Sequence, residues 1–365
     1  MINKAKLFLI YLIILLFIFS GCASKASINT ENVAEESTKP IKVVDYFGRE
    51  VEISKKVKKI ACGYAYTGHV ISMLGRGDDI VAVVDGLKRD KVLTTIHPHI
   101  KELPVPFSAG TINIEELLNS EPDVVFLKSD TALNESVVEK LNKLNIPYVV
   151  IDFYSIEQQI NSISIIGKVL GEEEKASEYI NYYLNTIEET EKITSTIAQN
   201  EKIRVYHSVN EAVRTDIKNS LPADWIKIAG GINVSLNEDL KTDGDKSYAT
   251  LEQIYLWNPD VIIANEMGVA DYILTNQQWA SLKSVKEKKV YQMPVGISRW
   301  GHPGSLETPL AIRWTAKLLY PEYFKNFYME NETKEYYEKF FNIKLNEEQI
   351  QQILNGEGMR ELKSN

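Results

Sequence analysis

The sequence predicts an α/β protein made of two Rossmann-like lobes, each with a central parallel sheet, joined by a single long α-helix. Three observations support this prediction: a motif that occurs twice at a large offset, short apolar runs separated by helical stretches, and a proline-free segment between the two copies of the motif. The chain has 365 residues, which is more than one domain usually holds.

The N-terminus is typical of a signal peptide, predicted over residues 1–21. Two lysines precede an uncharged apolar run at residues 7–19. That run is shorter than the roughly 20 apolar residues that span a membrane. Gly21-Cys22 follows, and this pair resembles the lipobox of bacterial lipoproteins, in which the cysteine is lipidated. An ordinary secretory signal with a chance cysteine is the alternative.

Residues 22–40 are predicted to be the lipidated cysteine and a flexible tether, because they are small and polar. We therefore expect an exported protein held by lipid on the outer face of the cytoplasmic membrane, or in the periplasm where an outer membrane is present. The net charge of −9 argues against a nucleic-acid partner. Only two cysteines occur, so lipidation of Cys22 leaves Cys62 without a disulfide partner.

An internal repeat organises the rest of the chain. Residues 111–126 match residues 248–263, so that Glu115 aligns with Glu252 at an offset of 137 (252 − 115). Each copy predicts a helix, a Pro-Asp turn and a buried strand. Two copies so far apart indicate two similar lobes and not a solenoid of short repeats.

The lobes are predicted over residues 41–155 and 201–365. In both, short apolar runs separated by helical stretches indicate parallel βαβ units. The segment between them, residues 156–200, lacks proline and predicts a helical bridge. We expect one helix that ends near Leu170 and a longer one that starts at Glu172. A coiled coil is the alternative, although the segment lacks sustained heptads.

Several motifs resemble those of one family, the periplasmic-binding proteins for iron–siderophores, haem and cobalamin, whose two lobes are bridged by a long helix. They occur in the same order along nearly the whole mature chain: the predicted hairpin 45–53, the paired helix starts 113–117 and 250–254, the Gly-Gly-x-Asn turn 228–233, and the strand, loop and helix at 295–300 and 310–321.

The resemblance implies a solute-binding lipoprotein of an ABC importer, not an enzyme. It implies an iron complex of the siderophore type as ligand, with haem, cobalamin or another metal complex such as nickel as alternatives. No intrinsic cofactor is expected. The implied partners are the permease and its ATPase, and we expect a monomer.

Glu115 and Glu252 are the candidate docking residues. Each is predicted in the first turn of a helix, after a capping box from Asn113 to Glu116 or from Thr250 to Gln253. The resemblance implies that these carboxylates bind arginines of the permease, which suits bidentate pairing. The alternative is that the helix dipole alone favours acidic residues at these positions.

The ligand is expected between the lobes, at loops that follow the carboxyl ends of the strands. Aromatic and cationic side chains there suit a flat or catecholate-bearing anion. The candidates are Tyr64, Tyr66, His69, His207, Arg214, Arg299, Trp300 and His302. Among them, His69, His207 and His302 are possible direct metal ligands. A surface loop is predicted at His97 and His99.

Two other classes of protein remain open at this point. An α/β enzyme could share the doubled architecture, but the chain lacks a Gly-x-Ser-x-Gly elbow, a His-Glu-x-x-His motif, a Walker A motif and a cysteine cluster. A lipid-anchored adhesion or scaffold protein without a small ligand is the third interpretation.

Overall fold

The structure is a computed structural model that describes residues 40–53, 56–244, 246–357 and 360–361. The predicted signal peptide, Cys22 and nearly all of the tether lie outside these residues, so those predictions stay predictions. Within the described ranges, no helix is long and apolar enough to cross a membrane.

The first lobe begins with an antiparallel hairpin and continues as alternating strands and helices. Its elements are β1 (Ile41–Val44), β2 (Glu50–Ile53), β3 (Ile60–Cys62), α1 (Ala65–Met73), β4 (Ile80–Ala82), α2 (Asp85–Lys88), α3 (Lys91–Ile96), β5 (Phe107–Ser108), β6 (Thr111–Ile112), α4 (Ile114–Asn119), β7 (Val124–Leu127), α5 (Ser129–Ala132), α6 (Glu135–Lys143) and β8 (Tyr148–Val150). Four strands form a parallel sheet in the order β4-β3-β7-β8. Strands β3, β7 and β8 are buried throughout, as in a sheet covered on both faces.

Two helices connect the lobes: α7 (Ile156–Leu170) and α8 (Glu173–Thr194). Ser155 caps α7, since its hydroxyl accepts a hydrogen bond from the Gln158 N–H at 3.2 Å. Gly171 ends α7 with a φ of 68°, a left-handed conformation that glycine adopts without steric cost. Helix α7 packs on β1 and α1, whereas α8 packs on helices of the second lobe. The long helix of the predicted fold is therefore α8.

The second lobe repeats the alternation and adds an antiparallel three-stranded sheet. Its elements are β9 (Arg204–Ser208), β10 (Arg214–Thr215), α9 (Leu221–Ile228), β11 (Ile232–Asn233), β12 (Lys241–Asp243), β13 (Lys246–Tyr248), α10 (Leu251–Trp257), β14 (Val261–Ala264), α11 (Val269–Thr275), α12 (Lys283–Lys286) and β15 (Val290–Gln292). The parallel sheet has the order β11-β9-β14-β15, and the antiparallel one has the order β10-β13-β12. Both lobes thus confirm the predicted fold class.

Three closing helices follow: α13 (Thr308–Leu319), α14 (Met329–Phe341) and α15 (Glu347–Leu354). A single cluster of buried apolar side chains extends from the first sheet through the connecting helices to the second, and includes Val124, Tyr179 and Trp225. The chain then returns to the first lobe, where Arg360 pairs with Asp90 at 2.7 Å. The predicted lobe boundaries did not anticipate this return.

Candidate ligand-binding cleft

A cavity of about 230 Å³ lies between the two lobes, where the carboxyl ends of the parallel strands meet. The first lobe contributes Tyr64 after β3, Lys128 after β7 and residues 152–154 after β8. The second lobe contributes Arg214 of β10 and the segment 302–304, among other residues. This is the position at which open α/β sheets bind ligands.

Tyr64 and His302 converge at this cavity. A Cβ atom added to Gly304 would lie 3.0 Å from the Tyr64 hydroxyl and 3.6 Å from His302 Nδ1. Burial, followed by the charge of Asp152, raises the pKa of Tyr64 well above its usual value, so the phenol keeps its proton. The Tyr64 hydroxyl has no hydrogen-bond partner among the residues that the structure describes.

His302 is a neutral donor. Burial first, and then the nearby positive charge of Arg299, lowers the pKa of His302 well below its usual value. His302 Nδ1 accepts a hydrogen bond from the Gly304 N–H at 3.1 Å, which places the proton of the neutral ring on Nε2. Within the described ranges, Nε2 has no hydrogen-bond partner.

Arg214 is the cation of the cavity that lacks a counter-charge. It is half-buried on β10, which pairs with β13. Its guanidinium forms no ion pair and no hydrogen bond with any side chain in the described part of the protein. Lys128, by comparison, pairs with Asp130 at 3.3 Å.

The two carboxylates at the cavity are already engaged by protein donors. Asp216 Oδ2 accepts hydrogen bonds from His207 Nδ1 at 2.8 Å and from Asn233 Nδ2 at 2.9 Å. Asp152 accepts hydrogen bonds from the Ser129 hydroxyl and, at 2.9 Å, from the Phe153 N–H. Three donors at the cavity have no partner among the described residues: the Tyr64 phenol, the His302 imidazole N–H and the Arg214 guanidinium.

A second chamber of about 350 Å³ lies beside this cavity and also has walls from both lobes. Three arginines line it: Arg89, Arg299 and Arg360. Arg299 pairs with Glu266 and donates to Asn210 Oδ1 at 2.5 Å, and burial lowers its pKa. Arg299 is one of the candidates predicted from the sequence, whereas Arg89 and Arg360 are not. Arg360 is brought here by the return of the C-terminal segment, for which the sequence carries no local signal.

Four predicted ligand contacts are buried elsewhere, and the structure corrects that expectation. Helix α1 begins at Ala65, one residue after Tyr64, so Tyr66 and His69 lie on its buried face. The Tyr66 hydroxyl lies 3.0 Å from Ser162 Oγ, and His69 Nε2 lies 2.8 Å from Asp90 Oδ2. The other two residues, His207 and Trp300, are fully buried.

The histidines do not form a metal site together. In the described part of the chain, no three His, Cys, Asp or Glu side chains are grouped so that they could hold a metal ion. Among His69, His207 and His302, His302 is the one that reaches the cavity. His97 is buried rather than in a surface loop, since its ring bonds to Asp78 at 2.7 Å and to Ser72 at 2.9 Å.

Glu115 and Glu252 are both exposed in the first turn of a helix, α4 and α10 respectively. The predicted capping box forms at Thr250, with reciprocal bonds to Gln253 of 3.1 and 2.8 Å. At Asn113 it forms only in part, because the Glu116 carboxylate accepts from the Val105 N–H at 3.1 Å instead. The docking role remains a prediction.

The chain resembles solute-binding proteins of known structure. It is 26% identical over 324 residues to the molybdate-binding protein MolA of Haemophilus influenzae. The match covers 82% of this chain and 90% of that protein. A periplasmic solute-binding protein from Veillonella parvula has 28% identity and a TM-score of 0.75, and the match covers 87% of this chain and 97% of the other. Helicobacter pylori Ceue with Ni(II) bound shares the fold, with 23% identity, a TM-score of 0.70, and coverage of 86% and 99%.

A family model described as "Periplasmic binding protein" matches residues 60–295, which is more than half of the chain. The relatives are transport proteins and not enzymes. The chain therefore belongs to the periplasmic binding protein family, as an extracytoplasmic solute-binding component of an ABC transporter.

Proposed function

We propose that this protein captures a small anionic, metal-containing solute and delivers it to the permease of an ABC importer. One observation carries the proposal: among the described residues, the half-buried guanidinium of Arg214 has no counter-charge, and it lies at a cavity where Tyr64 and His302 also offer donors without a partner there. Even partial burial of a cation is costly without a partner, and an anionic ligand supplies one.

A tetrahedral oxyanion such as molybdate is the first candidate ligand. A volume of about 230 Å³ is below the roughly 300–1,000 Å³ of pockets for drug-sized ligands. An oxyanion accepts hydrogen bonds on every side, which matches a cavity whose free groups are donors. The name of the relative MolA, a molybdate-binding protein, supports this choice.

The iron complex expected from the sequence is the second candidate. Lys128 lines both the cavity and an open groove of about 490 Å³ on the first lobe, so a ligand could extend from one into the other. Phe153 and Tyr154 add aromatic surface at the cavity wall. These features suit a siderophore-like chelate, or a haem, cobalamin or nickel complex, whose metal carries an organic shell.

Delivery requires docking, and Glu115 and Glu252 are the proposed contacts. Both carboxylates are exposed and make no ion pair within the part of the chain that the structure describes. Arginines of a permease could therefore bind them without breaking an internal contact. Lipidation of Cys22 would hold the protein close to that permease.

Calorimetric titration of the purified protein tests the ligand class. Molybdate, tungstate, sulfate and a ferric catecholate complex are added in separate experiments. We expect saturable binding of molybdate and tungstate at one site per chain, with weaker binding of sulfate. Binding of the ferric complex alone would favour the second candidate, and binding of none of the four would contradict both an oxyanion and a ferric catecholate as the ligand.

A further inference from the structure

We infer that Glu307 is a positioning residue of the cleft: its buried carboxylate fixes the loop that carries Arg299 and His302. We call residues 296–306 the binding loop. The inference rests on the proposed function, in which His302 donates to the ligand. Glu307 itself is fully buried and lines neither the ligand cavity nor the second chamber.

The Glu307 carboxylate accepts hydrogen bonds from the start of the binding loop, while the Glu307 backbone directly follows its last residue. Its Oε2 accepts from the Ser298 N–H at 2.7 Å and from the Ser298 hydroxyl at 2.9 Å. Its Oε1 accepts from the Tyr337 hydroxyl of α14. Burial raises the pKa of Glu307, and the hydrogen bonds from Tyr337 and Ser298 oppose that rise.

The loop closes tightly around this carboxylate. The Glu307 N–H donates to Ser305 Oγ at 3.1 Å, and the hydroxyls of Ser305 and Ser298 lie 2.9 Å apart. A Cβ atom at Gly296 would collide with both the Tyr337 hydroxyl and the Glu307 carboxylate. Position 296 therefore requires glycine, because the carboxylate occupies the space that a larger side chain would need.

Helices α7 and α8 hold the same loop from the other side. Gln159 Nε2 of α7 donates to the Ser305 carbonyl at 2.7 Å, and the Tyr183 hydroxyl donates to Gln159 Oε1 at 2.9 Å. The Tyr179 hydroxyl donates to the Leu306 carbonyl at 2.5 Å. The loop is thus attached to the connecting helices, so the position of His302 is fixed with respect to both lobes.

A carboxylate is required because three donors converge on two oxygens. In Glu307→Gln, one oxygen is replaced by an amide NH₂, which cannot accept. At least one donor from Ser298 or Tyr337 is then buried without a partner, which is costly. We expect the loop to relax away from that group and His302 to lose its alignment, with about tenfold weaker binding of molybdate.

Two measurements on Glu307→Gln test the inference. Hydrogen exchange of the binding loop, followed by mass spectrometry without ligand, reports its order, and calorimetry reports molybdate affinity. Tyr320→Phe is the matched control, since it removes a buried hydroxyl that donates to the Gly230 carbonyl at 2.9 Å, away from this loop. We expect faster loop exchange and weaker binding in Glu307→Gln, and neither change in Tyr320→Phe.

Unchanged loop exchange in Glu307→Gln would overturn the inference. Equal loss of affinity in Tyr320→Phe would also overturn it, because the effect would then be one of general stability. If the wild-type protein does not bind molybdate, the proposed ligand fails, while loop exchange still decides the role of Glu307. Should Glu307→Gln not fold, Ser298→Ala keeps the carboxylate and removes one hydroxyl donor, and it should increase loop exchange to a smaller extent.

Discussion

The two lobes share a sheet design but use it differently at the cleft. In each, a buried histidine near the carboxyl end of the sheet pairs with an aspartate at 2.8 Å: His69 with Asp90, and His207 with Asp216. Asp216 lines the ligand cavity, so this pair stands directly behind it. Asp90 instead binds Arg360 from the end of the chain.

The lobes differ in the connection that follows the first strand of each parallel sheet, β3 in the first lobe and β9 in the second. After β3, helix α1 starts almost at once, and its first turns are buried in the lobe. After β9 the chain makes a longer connection and returns as β10, which exposes Arg214 to the cavity. The first lobe therefore supplies Tyr64, which forms part of the cavity wall, and Lys128, whose charge is balanced by Asp130. The second lobe supplies Arg214, which has no ion-pair partner among the described residues.

The largest expected effect concerns a surface feature that both lobes share, the acidic first turn of a helix at Glu115 and at Glu252. In the double variant Glu115→Ala with Glu252→Ala, we expect ligand uptake by cells to fall to background, since both proposed contacts with the permease are lost. Ligand affinity of the purified protein should stay unchanged, because neither residue lines a chamber. A double variant that keeps full uptake would refute the docking assignment, and one with weaker ligand binding would show that these residues act on the cleft.

Next in size is the effect of removing the unpaired charge of the second lobe. Arg214→Ala should weaken molybdate binding by about 2–3 kcal/mol, as expected for a charged hydrogen bond to an anion. Lys128→Ala in the first lobe should cost about 1 kcal/mol or less, since Lys128 already pairs with Asp130. Calorimetry gives both values. Arg214→Lys is the matched control and should bind with intermediate affinity, because it keeps the charge without the planar fork. Equal losses in the two lobes would contradict this comparison.

The smallest expected effect is the response to pH. Because the pKa of His302 lies well below its usual value, its ring stays neutral from about pH 8 to about pH 6, where an ordinary histidine becomes charged. Molybdate affinity measured over this range should therefore stay nearly constant. If His302 titrated normally, it would gain positive charge as the pH falls and binding of an anion would become tighter. Such a rise, abolished in His302→Gln, would show that the ring titrates.

Much of the fold follows from local pattern. The buried strands β7 and β14 occupy the apolar runs of the repeat, and Thr250 forms the capping box that its spacing predicts. The connecting helix α7 ends at Leu170, as expected from the glycine that follows. These features depend on residues that are close in sequence, so periodicity and capping rules suffice to predict them.

The site is less predictable, because side-chain direction depends on tertiary packing. Tyr64 and Tyr66 differ by two positions, yet Tyr64 lines the cavity and Tyr66 is buried in the core, since a helix starts between them. Lys128 could have been identified, because it directly follows a buried strand. Arg89 and Arg360 could not, because their meeting depends on the return of the chain to the first lobe.

The return of the chain to the first lobe near Arg360 also offers a position for a fluorescent label that detects binding. Glu361 donates its backbone N–H to the Arg89 carbonyl at 3.0 Å and lines the second chamber. A fluorophore attached at position 361 would therefore lie at the second chamber, beside the proposed ligand cavity. For the same reason, affinity tags and immobilisation handles are better placed on exposed surface away from residues 360 and 361.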